Sequence, residues 1–143
     1  MNSTVVPYTR INLPPRGSFP ARTLYSPLLK TKINNSHFTF DSVVDSGADF
    51  CVFPAEFGEV VGLKIETGKH LPTFGVGGRD IIFFHKIKVS VMIRDEVWGF
   101  ECHAGFSKKM NVRGVGLLGR EGFFDLFQEI SFNQNTKMFR LKG

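Results

Sequence analysis

The stretch Phe40-Asp41-Ser42-Val43-Val44-Asp45-Ser46-Gly47-Ala48-Asp49 decides how this chain is read. An apolar run leads straight into Asp-Ser-Gly-Ala. The run has the look of a buried strand, so Asp45 places a carboxyl at a strand end. Ser46 adds a hydroxyl able to bond nearby backbone and fix the loop. Gly47 permits a sharp turn and close approach by another backbone. Asp, Ser and Gly are also the commonest turn formers. Taken alone, the tripeptide is equally consistent with an ordinary strand-to-turn junction.

Outward from that stretch the pattern is that of strands. Leu24 to Ile33 and His37 to Val44 are apolar-rich runs with period-two alternation, parted by Asn34-Asn35-Ser36, residues that tolerate a hairpin turn. Ile81 to Ile93 alternates clearly, Arg94-Asp95-Glu96 reads as a turn, and Val97 to Ala104 as the returning strand. Ile130 to Phe132 and Met138 to Leu141 form a last pair around Asn133-Gln134-Asn135. Helix is expected in two places. Residues 55–61 after Pro54 give one or two turns, and Arg120 to Glu129 sets Phe123, Phe124, Phe127 and Ile130 on one face. Residues 1–23 carry Pro7, Pro14, Pro15, Gly17 and Pro20 and are expected to form an extended, partly mobile arm. Residues 24–143 then make one domain, mostly β with one short C-terminal helix.

Composition narrows the classes. The chain has 143 residues, 42% hydrophobic and 22% charged, which suits a single globular domain and not a disordered one. Its 18 basic and 13 acidic residues leave a net charge of +5, compatible with an anionic partner without requiring one. Two cysteines, Cys51 and Cys102, exclude a disulfide-dense scaffold and a four-cysteine zinc site. Neither a secretory leader nor an apolar run long enough for a membrane helix is found, so a cytoplasmic protein with no membrane partner is expected.

Other candidate chemistry is weaker. Gly114-Val115-Gly116-Leu117-Leu118-Gly119 formally matches a dinucleotide fingerprint, but it lacks the preceding buried strand and the βαβ unit that fingerprint needs. Phe74-Gly75-Val76-Gly77-Gly78-Arg79 reads as a flexible hairpin tip, either a plain β-turn or a lid over an extended ligand. His37, His70, His85 and His103 lack metal-ligand spacing, so no metal site is expected. Cys102 and His103 point to opposite faces of a strand, which argues for packing over a thiol nucleophile. Cys51 reads as a small buried hydrophobe. Lys108, Lys109 and Arg113 form a basic loop without interleaved aromatics, so nucleic acid is not an expected partner.

The order of Val43-Val44-Asp45-Ser46-Gly47-Ala48-Asp49, then Gly75-Val76-Gly77-Gly78, then Leu117-Leu118-Gly119-Arg120 resembles the retropepsin family of single-domain aspartic proteases. Pro27 to Ile33 looks like that family's first core strand, and the likeness covers residues 24–133. The resemblance implies a closed all-β barrel and a homodimer in which each subunit supplies one Asp45. It implies an aspartic endopeptidase acting on peptide or protein substrate, with no cofactor. Residue by residue, it implies that Asp45 is catalytic and that Ser46 and Gly47 support the catalytic loop. Gly47, Ala48, Asp49, Gly75, Val76, Gly77 and Leu117 would contact substrate. Arg120 would pair with Asp49 as a structural group. Ser26 stands where viral members carry an arginine, which removes one expected intersubunit ion pair. Two other readings remain: a catalytically silent relative that binds peptide or mediates dimerisation, and a basic β-barrel that binds nucleic acid.

Overall fold

A computed structural model of the chain describes residues 3–75 and 78–143. Its first half contains β1 (Ser3–Pro7), β2 (Thr9–Leu13), β3 (Arg22–Ser26), β4 (Leu28–Ile33), β5 (Phe40–Val44), β6 (Val52–Pro54) and the helix α1 (Ala55–Val60). Then come β7 (Lys69–Gly75), β8 (Gly78–Ile93), β9 (Glu96–Ser107), β10 (Gly116–Leu118), β11 (Glu129–Asn133) and β12 (Met138–Lys142). Strand order in the main sheet is β4-β5-β10-β6-β9-β8-β7, and β4 also pairs with β8. That extra pairing closes six strands into a barrel, with β7 folded back on β8 outside the ring. The fold is mostly β, as the alternation implies.

The barrel closes because its alternating strands have apolar residues to put inside. In β8, Ile87, Val89, Val91 and Ile93 are buried while Lys86, Lys88 and Met92 face out. From β4, Leu29 and Ile33 join them, and β5 adds Phe40 and Val44. The turn between β4 and β5 uses Asn34 (φ 51°) and Asn35 (φ 57°), the left-handed conformations that asparagine tolerates better than most residues. Phenylalanine dominates the interior. Phe40 lies 5.5 Å from Phe53 and 4.6 Å from Phe57, centroid to centroid, and the first of these pairs packs edge to face.

Two expectations need revising. The helical segment over Arg120 to Glu129 is only a 3-10 turn at Phe124–Leu126. Gly122 before it has φ +99°, Phe127 after it is extended, and Glu129 already pairs with Lys142. The apolar face is nonetheless used. Phe123 is buried, and Phe127 lies 5.3 Å from it and 5.5 Å from Trp98. Among the described residues the α-helix is α1, as the segment after Pro54 allows.

The arm is extended but built into the fold. β1 pairs along its whole length with β12, and β12 with β11, making a separate three-stranded sheet. Val6, Phe139 and Leu141 of that sheet are buried in the main core. Arg94 Nε donates to the Val5 carbonyl at 2.9 Å and ties the β8–β9 turn to β1. β2 and β3 form a two-stranded hairpin of their own, with Pro14, Pro15 and Pro20 confined to its loop. No helix among the described residues is long and apolar enough to cross a membrane.

Candidate functional site

Parallel pairing of β5 with β10 sets Val44 beside Leu118, and this decides where Asp45 goes. The chain leaves β5 at Val44, and the Asp45 amide donates to the Leu118 carbonyl at 3.0 Å. A turn follows, closed by the Ala48 amide on the Asp45 carbonyl at 3.2 Å. Inside it, the Gly47 amide donates to Asp45 Oδ1 at 2.9 Å. The carboxyl is thereby fixed by its own loop while the side chain stays partly open to solvent. Ser46 and Gly47 are exposed at the tip of this turn.

A second set of bonds braces the loop from the far end of the chain. The Arg120 amide donates to the Ala48 carbonyl, and the Glu121 amide to the Asp49 carbonyl, both at 2.9 Å. Phe50 and Glu121 form a parallel bridge. The Arg120 guanidinium also reaches Asp49 Oδ1. Such close backbone approach explains the glycine in Leu-Leu-Gly-Arg. A Cβ at Gly119 would stand 2.3 Å from the Phe50 carbonyl oxygen and 2.9 Å from that of Ala48. The amide of Gly119 donates to Cys51 Sγ at 3.4 Å. The Arg120–Asp49 ion pair is the one the resemblance implies, whereas sequence reasoning missed the main-chain braces. Their one trace in the sequence is Gly119, which leaves room for the Phe50 and Ala48 carbonyls.

Leu117, half-exposed on β10, packs against a small apolar cluster of Val52, Ile82 and Met110. Ile82 comes from β8, so Leu117 sits between the loop and the β7–β8 hairpin. That hairpin runs out to the Gly75↔Gly78 pair. Val76 and Gly77, expected at its tip, lie outside the described residues. Near the tip Phe74 is 79% exposed, so a large apolar ring faces solvent. Lower down, Ser107 Oγ, itself buried, donates to Asp80 Oδ2 at 2.5 Å and accepts from the Met110 amide at 3.3 Å. This links the hairpin's second strand to the end of β9.

Beyond Asp49 the floor continues into an apolar hollow of about 710 Å³. Phe50, Leu71 and Phe84 line it together with Lys69, His70, His103 and Glu121. Among the described residues no group of His, Cys, Asp and Glu is placed to hold a metal ion. The basic loop is partly engaged by the protein itself. Lys108 pairs with Glu66 and Lys109 Nζ donates to the Arg79 carbonyl.

The arrangement thus brings Asp45, Ser46, Gly47, Ala48, Asp49, Leu117 and Arg120 to one junction, while Gly75 lies at the far end of the β7–β8 hairpin, whose Ile82 packs against Leu117. A partly open carboxyl held by a backbone amide can exchange protons with a bound water or hydroxyl. The exposed loop can also offer backbone groups to an extended ligand. Among solved structures, a retropepsin-like aspartic protease from Rickettsia conorii superposes with a TM-score of 0.63. The match covers 93% of this chain and 98% of that one at 14% sequence identity. No family model matches the sequence, and no curated protein matches it. The chain therefore has the retropepsin-like fold, and the likeness is one of fold.

Proposed function

We propose that this chain is an aspartic endopeptidase that acts as a homodimer, each copy supplying one Asp45. The observation that carries the proposal is the position of that carboxyl. It lies at a strand end, partly open, bonded by the Gly47 amide and braced through Ala48 and Asp49 by the Arg120–Glu121 backbone. One carboxyl cannot be both base and acid in a single turnover. Two brought together across a two-fold hold one proton between them, because like charges a few ångströms apart do not both ionise readily.

In the cycle, the ionised Asp45 takes a proton from water as that water attacks the peptide carbonyl. The protonated Asp45 of the other copy polarises the carbonyl oxygen and helps protonate the departing nitrogen. Substrate lies extended as an added strand, its backbone against Gly47 and Asp49 and under the Gly75 end of the β7–β8 hairpin. Ala48 and Leu117 face its side chains, and the hollow beside Phe50 favours apolar ones. Arg120 positions Asp49, and no cofactor takes part.

The test is a peptide-library digest with wild type and Asp45→Asn, run beside sedimentation at micromolar protein. The expected result is a dimer whose cleavage is lost in the variant and falls at alkaline pH as the shared proton leaves. Cleavage that survives Asp45→Asn, or climbs steadily above neutral pH, overturns the mechanism. A folded dimer that binds peptide without cutting it identifies a silent relative.

A further inference from the structure

The two cysteines lie far apart in sequence and meet under the turn that braces the candidate site. Cys51 is completely buried. Its Sγ accepts the Gly119 amide at 3.4 Å and its S–H points at the Glu121 carbonyl at 3.7 Å. Cys102 is half-buried on β9, on the face opposite exposed His103. Parallel pairing of Val52 with Gly105 lays the Cys51 segment along β9, and the Gly105 amide donates to the Cys51 carbonyl at 2.9 Å. Both side chains abut the Gly119–Gly122 turn, Cys51 through its sulfur and Cys102 beside Gly122. Their mutual influence holds Cys51 toward its thiolate, against the effect of burial. The same influence, with burial, pushes Cys102 well above the usual thiol range. Gly122 closes the spot from the other side, since a Cβ there would stand 3.0 Å from Cys102 Cβ.

We propose that Cys51 and Cys102 form a reversible disulfide that switches the candidate site by displacing the Gly119–Glu121 turn. The seating of both cysteines on the one Gly119–Gly122 turn is one half of the argument. The other half is that both backbone partners of Cys51 Sγ belong to the turn that braces Ala48 and Asp49. A disulfide holds two Cβ atoms roughly 3.5–4.5 Å apart in a fixed dihedral. Forming it consumes the S–H given to Glu121 and re-aims the sulfur that Gly119 bonds. Arg120, between those residues, then loses its fixed position against Asp49. In a reducing compartment such bonds are transient and serve as sensors.

The chemistry balances with a disulfide-class oxidant such as glutathione disulfide. Cys102, the accessible thiol, gives up its proton and attacks one oxidant sulfur. A mixed disulfide forms, and one glutathione leaves and takes up that proton. Cys51 then attacks Cys102 Sγ, the protein disulfide forms, and the second glutathione leaves with the Cys51 proton. Two protein thiols lose two electrons, and one glutathione disulfide becomes two glutathione thiols. Because Cys102 resists ionising, the first step quickens as pH rises.

The bond itself does not depend on proteolysis, whereas its effect on turnover rests on the function proposed above. The full chain is equilibrated in glutathione redox buffers at neutral and mildly alkaline pH, alkylated under denaturing conditions and weighed intact. The expected product is a monomer-mass species lacking two hydrogens, mapped to a Cys51–Cys102 link, formed faster at the higher pH and reversed by a dithiol. Peptide cleavage should fall about tenfold or more on oxidation. It should recover on reduction and ignore the oxidant in Cys102→Ser. Full alkylation of both thiols at oxidising ratios, or mixed disulfides alone, overturns the proposal, and so does a bond that leaves cleavage unchanged. If neither form cleaves, oxidation-linked amide shifts at Gly119 and Glu121 sustain the switch while the proteolytic reading fails. Unmoved amides refute the switch.

Discussion

The floor and the roof of the candidate cleft are built on different principles. The floor, from Asp45 to Cys51, is stitched by backbone bonds to Leu118, Arg120 and Glu121 from the other end of the chain. The roof, the β7–β8 hairpin, relies on its own strand pairing, on the ladder of β8 with the end of β9, and on side-chain ties from Ser107 to Asp80 and from Lys109 to the Arg79 carbonyl. Where the floor meets its brace, Gly119 carries no side chain because the backbones nearly touch. Roof residues include Leu71 and Ile81, both large, apolar and about half exposed. On the function proposed above, atoms that must keep their positions are held by main chain, and atoms that would meet a changing ligand are left to side chains on a short ladder.

Four substitutions probe this contrast. The largest expected effect is on chemistry alone. Asp45→Asn keeps the Gly47 contact through its amide oxygen, so the melting temperature should hold while peptide cleavage drops about a thousandfold or more. Gly119→Ala attacks the floor. Its Cβ meets the Phe50 and Ala48 carbonyl oxygens, backbone that cannot swing away. A loss of about 3 kcal/mol is expected in urea titrations. A near-neutral result would mean that the stitching is loose. Ser107→Ala attacks the roof, leaving Asp80 and the Met110 amide without their partner. The cost should be about 1–3 kcal/mol, with faster amide exchange along β8 near Asp80 and little change at Ala48 or Asp49.

The smallest effect is expected at Glu66, which pairs with Lys108 wholly at the surface. The Lys108 bond holds the Glu66 carboxyl below its usual range. Any stabilisation is therefore present above the carboxyl's unfolded value and lost as pH falls through the lower, folded one. Exposed pairs contribute little. Glu66→Gln should leave the melting temperature within error at neutral pH.

Much of the barrel was legible because period-two burial writes itself into the sequence. Ile87, Val89, Val91 and Ile93 could hardly face any other way. The Asp-Ser-Gly junction was legible for a different reason, since it concentrates a carboxyl and small residues at a strand end. What escaped was pairing over distance. Thr4 gives no local sign that Leu141 is its partner, and the prolines around β1 and β2 looked like breakers although they fall at strand ends and in the loop. The Phe-rich segment after Arg120 has true helical spacing. It yields to Gly122 and to the demand of β12 for Glu129, a competition that local propensity does not register. The braces from Arg120 and Glu121 use main-chain atoms that every residue carries, so no residue type announces them.

The pairing of β1 with β12 has a consequence for synthesis. Ser3 leaves the ribosome well before its partner Lys142. Until β12 has emerged, β1 has no edge to join, and Val6 waits outside the interior it will occupy. The barrel strands up to β10 can pair before then, but the β1-β12-β11 sheet must wait for β12. A nascent chain stalled shortly before Met138 should therefore be clipped within Ser3–Pro7 by proteases that spare the finished protein.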